Sequence, residues 1–241
     1  HSDLSIFLEP AGTNYVAQGV TLLVSGNCGW SAAPFDPEDP EAVASLADDR
    51  LQSLVTWRTF GEYMEALERL PKAVHVATLV GHSSVRGAVL GWGDAQPGPK
   101  ELEKMQALVE EAMRAGAFGL STGLIYVPGT FAGTDEIAAL ARVAAAHGGI
   151  YATHLRSESD RLPEALEEAV RVGRESGARV QVSHHKASGR RNWGLVKTTL
   201  ALMEHYRRLG VDVTCDVYPC TAGATSLAAL LPPWTQREGR Q

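Results

Sequence analysis

Short apolar runs rich in β-branched residues alternate with amphipathic stretches along the whole sequence, and this alternation constrains the fold more than any other feature. It is typical of parallel βα units, in which a helix follows each strand and packs on the sheet. The apolar runs predict strands at residues 20–24, 74–80, 117–120, 149–154, 179–184 and 211–218. The stretches with apolar residues at spacings of three and four predict helices at 60–70, 101–115, 135–147, 162–176 and 195–209. Glycine follows several of these helices, as a left-handed C-cap favours, at Gly116, Gly148, Gly177 and Gly210.

These units fit either a doubly wound open sheet or most of an eight-stranded barrel. No Gly-x-Gly-x-x-Gly follows the first predicted strand. Polar residues gather instead at the carboxyl ends of several strands, which is how a barrel builds its site. The sequence therefore predicts an α/β fold of the (β/α)8 TIM-barrel type. We expect one partial barrel domain over residues 1–241, with about six βα units and without the first and last strands.

Composition and charge narrow the classes of function. The 241 residues are 44% hydrophobic and 21% charged, which is ordinary for a globular domain. A formal net charge of -6 provides no basic surface for phosphates, so we expect no nucleic-acid partner. No apolar run reaches the roughly 18 residues of a membrane span, so no membrane partner is expected. Three cysteines, an odd number, indicate a reducing compartment, with the cytoplasm as the default location, and the oligomeric state stays open.

Two histidines end neighbouring predicted strands. His154 closes the strand at 149–154, and His184 closes the strand at 179–184, one βα unit later. Neighbouring strands lie about 4.8 Å apart, so imidazoles at matched ends can share a metal ion at about 2.0–2.1 Å. A single strand-end histidine is more often packed or hydrogen-bonded than bound to a metal. For the matched pair, a shared metal ion and ordinary packing or hydrogen bonding both remain open.

The residues around His184 follow the alternation of a strand. His184 and Lys186 share one face, so His185 points to the helix layer or to an outer shell of the site. A lysine beside a metal site is costly to bury without an anion, and we expect a substrate carboxylate to supply it. The alternative is a solvated lysine on a loop.

Cys28 lies in the turn Gly-Asn-Cys-Gly just after the first predicted strand. A thiolate there can reach a metal, and an ordinary buried thiol is the alternative.

In the last predicted strand, the alternation places Asp216 and Tyr218 toward the interior near the mouth of the barrel. Cys215 then faces the core.

Further polar residues follow two of the strands. His82 and Arg86 come after the strand at 74–80, and His154 is followed by Arg156 and Glu158. Arginines at this end either clamp a substrate carboxylate or pair with a nearby acid. For Arg156 the expected acid is Glu158.

Longer segments along the chain carry a more specific signal than single residues. They are Gln-Gly-Val-Thr, Gly-Asn-Cys-Gly, Gly-Leu-Ile-Tyr-Val-Pro-Gly, Gly-Gly-Ile-Tyr-Ala-Thr-His-Leu-Arg, Ser-His-His-Lys-Ala-Ser-Gly and Leu-Ala-Ala-Leu-Leu-Pro-Pro-Trp. In these segments the whole chain resembles the N-acyl-D-amino-acid deacylases of the amidohydrolase superfamily. The resemblance implies a zinc-dependent hydrolysis of N-acyl-D-amino acids to a D-amino acid and a carboxylic acid.

The resemblance also implies which residues form the site. Its zinc ligands are Cys28, His154 and His184, with the thiolate in place of the carboxylated lysine of related hydrolases. His1 matches the second histidine of a His-x-His pair that serves a second, weaker metal position. The positions that match those around the substrate are Tyr126, Lys186 and Tyr218.

The sequence departs from the family pattern at both ends and in one loop. The first histidine of the pair would precede His1, and the catalytic aspartate is expected beyond Gln241. Ala224 stands where a serine often follows Thr-Ala-Gly. We therefore expect the 241-residue chain alone to be inactive and poorly soluble, because an unclosed barrel exposes unpaired strand edges.

Two other interpretations remain. One is a different amidohydrolase, such as a dihydroorotase or a hydantoinase, although those typically use a lysine where this chain has Cys28. The other is a non-catalytic barrel fragment that binds a metal ion without turnover. The second interpretation predicts zinc uptake with no hydrolysis.

Overall fold

The computed structural model describes residues 4–44, 46 and 48–237. Its strands are β1 (Leu22–Ser25), β2 (His75–Thr78), β3 (Val80–Gly81), β4 (Gly119–Gly123), β5 (Ile150–His154), β6 (Arg179–Val182) and β7 (Val213–Cys215). β1 pairs with β2, and a second sheet has the order β3-β4-β5-β6-β7, with every pairing parallel. Leu79 alone separates β2 from β3, and its N–H donates to the Ser25 carbonyl at 3.0 Å. The two sheets are therefore joined through one extended segment.

The helices alternate with these strands. They are α1 (Ser5–Leu8), α2 (Thr13–Val16), α3 (Pro40–Ala44), α4 (Asp49–Leu54), α5 (Phe60–Arg69), α6 (His82–Leu90), α7 (Pro99–Arg114), α8 (Thr134–Ala146), α9 (Leu162–Ser176) and α10 (Leu195–Arg208). Single 3-10 turns occur at Gly129–Phe131, Arg190–Asn192, Leu227–Leu230 and Pro233–Gln236. α5 and α7 to α10 are the five helices that the sequence predicts, and the glycines predicted to cap four of them all have positive φ. α6 and the short helices before α5 are not predicted.

The core lies between the sheet and the helices that follow each strand. α7 packs on α8, α8 on α9, and α9 on α10, in chain order. The strands contribute fully buried side chains to this core, including Leu120, Tyr151 and Val180. β1 differs, because Leu22 and Val24 are 53% and 54% exposed. Within the described ranges, no helix has the length and apolarity needed to cross a bilayer.

A buried ionic cluster joins α6 to α8. Arg86 Nη1 pairs with Glu136 Oε2 at 2.5 Å, and His82 Nε2 lies 2.8 Å from Glu136 Oε1. Arg86 also donates to the carbonyl of Ala95. The structure therefore shows the second of the two roles predicted for an arginine at this end, pairing with a nearby acid, rather than a clamp on a substrate carboxylate. α6 begins directly at the strand end, so both side chains are buried between the helices instead.

Because of this cluster, the free energy of unfolding depends on pH. Burial alone raises the pKa of Glu136, but hydrogen bonds and charge from His82 and Arg86 outweigh it and hold the pKa below its ordinary value of 4.5. A carboxyl group whose pKa is lower in the folded state stabilises the fold above the unfolded-state pKa. This contribution is lost as the pH falls through the folded-state pKa. We expect the difference in unfolding free energy between wild type and Glu136→Gln, measured with urea, to shrink from pH 7 to pH 4.

Glu103→Gln, at an exposed position of α7, serves as the matched control for this comparison. Its difference from wild type should be the same at both pH values. An equal difference at pH 7 and pH 4 for Glu136→Gln would contradict the assigned role of the carboxylate.

Candidate metal and substrate site

A tight turn after β1 presents Cys28. Cys28 has φ 55°, a conformation that non-glycine residues rarely adopt, and its side chain is buried. Ser121 on β4 bridges the turn: its hydroxyl donates to the Gly26 carbonyl and accepts from the Gly29 N–H at 3.1 Å. From α6, the Ser83 N–H donates to the Gly29 carbonyl at 2.8 Å. Two elements distant in sequence thus fix the backbone that carries the thiol.

The turn also requires glycine at two positions that approach each other closely, Gly29 and Gly123. A Cβ atom at Gly123 would lie 2.0 Å from the carbonyl oxygen of Cys28. A Cβ atom at Gly29 would lie 2.7 Å from the backbone nitrogen of Gly123. A side chain at either position would therefore displace the turn from β4.

His154 and His184 meet Cys28 from the neighbouring strands. His154 is the last residue of β5, and His184 follows β6 by two residues with φ 40°. The two rings lie 4.5 Å apart between centroids, at 80° to each other. His184 Nε2 is 3.4 Å from Cys28 Sγ. One ligand atom from each residue fits within 4.8 Å of the others, and all three residues are buried.

The chemistry of this group fits a metal ion. Among the described residues, neither ring nitrogen of His154 has a hydrogen-bond partner, although both are buried. Burial lowers the pKa of His154 to about 4 and raises the pKa of the Cys28 thiol to about 12. Without a cation the site therefore holds a neutral imidazole and a neutral thiol, while a bound cation would favour the thiolate. One thiolate with two imidazoles is a donor set that suits zinc.

Glu158 ties the candidate metal site to Lys186. Its Oε1 accepts from Lys186 Nζ at 2.6 Å and lies 3.0 Å from His184 Nδ1. Burial raises the pKa of Glu158, but the hydrogen bonds to His184 and Lys186 outweigh it, and the net shift is downward. The anion beside Lys186 is therefore Glu158, which corrects the expectation that a substrate carboxylate would supply it. Lys186 does stand beside the candidate ligands.

Arg156 pairs elsewhere. Its guanidinium binds the carboxylate of Glu168 on α9 at 2.8 Å and the carbonyls of Thr130 and Ala132. The predicted pairing of Arg156 with Glu158 is therefore wrong. A sequence signal for the role of Glu158 exists in retrospect, since it follows His154 by four residues in the loop after β5.

A cavity of about 500 Å³ opens beside this cluster. The three residues predicted to surround the substrate all line it: Tyr126, Lys186 and Tyr218. The Tyr126 ring lies 5.1 Å from the His154 ring, and its hydroxyl is 2.9 Å from Thr225 Oγ1. The Tyr218 ring lies 5.4 Å from the His184 ring and 4.9 Å from Lys186 Nζ. A cation and two phenols thus border the space next to the candidate ligands.

The other predicted positions have varied surroundings. The Asp216 carboxylate accepts from the His184 N–H at 2.5 Å, which supports the unusual backbone of His184. His185 reaches the helix layer, one of the two places predicted for it, and its Nε2 lies 2.8 Å from Thr199 Oγ1 on α10. Cys215 is half-buried at the edge of the core. His1 lies outside the described residues.

Several known proteins are similar to this chain in sequence. No protein-family model matches the chain. Curated relatives from Alcaligenes xylosoxydans xylosoxydans include a D-aminoacylase, 41% identical over 227 residues, and an N-acyl-D-glutamate deacylase, 40% identical over 230 residues. Each alignment covers 94% of this chain and 46% of the relative. The chain therefore spans about half the length of the curated relatives it matches.

Solved structures agree with these relatives. A crystal structure of D-aminoacylase, described as defining a novel subset of amidohydrolases, matches with a TM-score of 0.85 at 41% identity, over 92% of this chain and 46% of that one. An N-acyl-D-glutamate deacylase from Bordetella bronchiseptica, complexed with zinc and a phosphonate inhibitor, matches with a TM-score of 0.81 at 36% identity, over 91% of this chain and 46% of that one. The parallel α/β fold is therefore similar to that of D-aminoacylase, which is described as an amidohydrolase. Over nearly its whole length, the chain is homologous to D-aminoacylase and to the N-acyl-D-glutamate and N-acyl-D-aspartate deacylases.

Proposed function

We propose that this chain provides the zinc site and the substrate cavity of an N-acyl-D-amino-acid deacylase. The reaction is hydrolysis of the amide bond, which gives a D-amino acid and a carboxylic acid. The observation that carries this proposal is the buried group of Cys28, His154 and His184, which adjoins a cavity lined by a lysine and two tyrosines. The relatives support it, because their names describe deacylases of N-acyl-D-amino acids.

The residues of the site divide into ligands and substrate contacts. Cys28, His154 and His184 would hold zinc, and His1 is proposed to serve a second metal position. Zinc bound there supplies Lewis-acid polarisation of the amide carbonyl and a lowered pKa for a bound water. Lys186 offers a positive charge to the substrate carboxylate. The hydroxyls of Tyr126 and Tyr218 offer hydrogen bonds to the amide oxygen as negative charge develops on it.

We further infer that the strands belong to a (β/α)8 barrel, with residues 1–241 as part of that domain. β1 and β6 are four strand positions apart in the order β1, β2/β3, β4, β5, β6. In a flat sheet that separation is roughly 19 Å at about 4.8 Å per strand. The contact of 3.4 Å between Cys28 Sγ and His184 Nε2 therefore supports a sheet that curves around the site.

A reducing compartment such as the cytoplasm suits this assignment. Cys28, Cys215 and Cys220 are all free cysteines. A thiol that acts as a metal ligand has to remain reduced. The proposed partner is the small-molecule N-acyl-D-amino acid.

The proposal is tested with the complete product of the gene, loaded with zinc. We expect hydrolysis of N-acetyl-D-methionine, loss of activity on chelation and recovery with added zinc. N-acetyl-L-methionine and dihydroorotate should not be turned over. Zinc-loaded protein that leaves the D-substrate intact, or that prefers either of the other compounds, would refute the proposal.

Replacing Lys186 with methionine should weaken substrate binding and leave the zinc content unchanged. The variant keeps the length of the side chain and removes the charge that faces the carboxylate. A hydrogen bond to a charged group contributes about 1.5–3 kcal/mol, so KM should rise about 10- to 150-fold. Steady-state kinetics and metal analysis measure the two quantities. Lys197→Met, at an exposed position of α10, is the matched control and should change neither.

A further inference from the structure

We propose that Glu158 is a positioning residue that fixes the proton of His184 on Nδ1 and orients Lys186 toward the cavity. This inference rests on the proposed function, because it assigns His184 Nε2 to the metal. Three neighbouring side chains set this arrangement: Glu158, His184 and Lys186.

The surroundings of His184 decide where its proton resides. Nδ1 has two polar neighbours at 3.0 Å, Lys186 Nζ and Glu158 Oε1. A lysine ammonium can only donate, and a carboxylate can only accept. Nε2 faces Cys28 Sγ at 3.4 Å, so Nε2 needs a free lone pair to act as a ligand. Nδ1 must then carry the proton, and Glu158 is the neighbour that can accept it.

The same arrangement leaves Lys186 one donor for a ligand. An ammonium group has three N–H donors. Lys186 uses one on Glu158 Oε1 at 2.6 Å and one on the His184 carbonyl at 3.0 Å. When His184 Nδ1 carries a proton, it cannot accept the third. That third N–H is then available to a substrate carboxylate in the cavity, and the ion pair with Glu158 need not break.

The Glu158 side chain can be changed without removing the support of its loop. The side chain is 12% exposed and lies between β5 and α9. Its backbone carbonyl accepts from the Ser188 N–H at 2.6 Å, which joins this loop to the loop after β6. Substitutions of the side chain retain that hydrogen bond, so folded variants are expected.

The experiment compares Glu158→Ala and Glu158→Gln with wild type and with Glu167→Gln, at an exposed position of α9. Competition with a chromophoric chelator measures zinc affinity. Long-range proton–nitrogen NMR of the zinc-free protein at one fixed pH reports which ring nitrogen of His184 carries the proton. Circular dichroism verifies folding of each variant.

We expect Glu158→Ala to lower zinc affinity about 10- to 100-fold, as the loss of outer-shell partners typically does. Glu158→Gln should lose less, because its amide oxygen can still accept from Nδ1. In the alanine variant the His184 proton should move away from Nδ1, a change that loss of packing alone would not produce. Unchanged affinity and an unchanged tautomer in folded Glu158→Ala would overturn the inference.

These outcomes separate the two proposals. If wild type hydrolyses the D-substrate and Glu158→Ala keeps both its zinc affinity and its tautomer, the role of Glu158 is wrong and the proposed function stands. If wild type neither binds zinc nor hydrolyses the substrate, the proposed function fails. The NMR comparison of zinc-free proteins still tests whether Glu158 sets the His184 proton.

Discussion

His154→Ala should abolish tight zinc binding and leave the fold intact. His154 is one of the three proposed zinc ligands, and among the described residues its ring nitrogens have no hydrogen-bond partner whose loss would add a cost. Losing an outer-shell partner typically costs about 10- to 100-fold in metal affinity, so losing a direct ligand should cost more than 100-fold. Metal analysis after dialysis and competition with a chelator measure the effect.

His185→Ala is the matched control for this variant. His185 is a buried histidine next to His184 in the sequence, but its ring forms a hydrogen bond with the Thr199 hydroxyl on α10. We expect this variant to keep its zinc. Retention of zinc by His154→Ala at wild-type affinity would show that the buried group of three residues is not the metal site.

Glu136→Ala should produce the largest loss of stability, at about 3–5 kcal/mol. Arg86 is fully buried, and Glu136 is its carboxylate partner. Removing one member of a buried ion pair leaves an uncompensated charge in a medium that solvates it poorly. Urea unfolding at pH 7 gives the difference from wild type.

Two further variants show whether burial is the cause. Glu175→Ala removes the acid from an exposed pair with Arg171, at 2.6 Å, and should leave the unfolding free energy nearly unchanged. The double variant Arg86→Met with Glu136→Leu removes both buried charges and should be more stable than Glu136→Ala alone. A loss in Glu136→Ala as small as that in Glu175→Ala would refute this account.

The sequence predicts long amphipathic elements well and buried polar ones poorly. α9 occupies residues 162–176, as its apolar periodicity predicts, because one face packs on the sheet and the other faces water. α6 has no such contrast. Its residues from His82 to Gly87 are all buried, so its polar side chains do not mark a face toward water.

Individual site residues were predictable where strands fix them. His154 and His184 lie near matched strand ends, so strand spacing alone indicates that they approach each other. Glu158 meets its partner Lys186 only because the loop after β5 contacts the loop after β6. Arg86 and Glu136 form an ion pair although they lie 50 positions apart in the sequence. Local patterns do not contain such pairings. The prediction that Tyr126 and Tyr218 lie around the substrate came from the resemblance to a family.

The proposed zinc ligands come from distant parts of the sequence, and this has a consequence for the order of folding. Cys28 and His184 are separated by 156 positions and belong to opposite ends of the strand order from β1 to β6. Contacts of such separation form slowly, because the entropy of closing a long loop is lost before they can form. A complete zinc site can exist only after the strands between them are in place. Zinc should therefore do little to speed folding and should mainly slow the unfolding of chains already assembled.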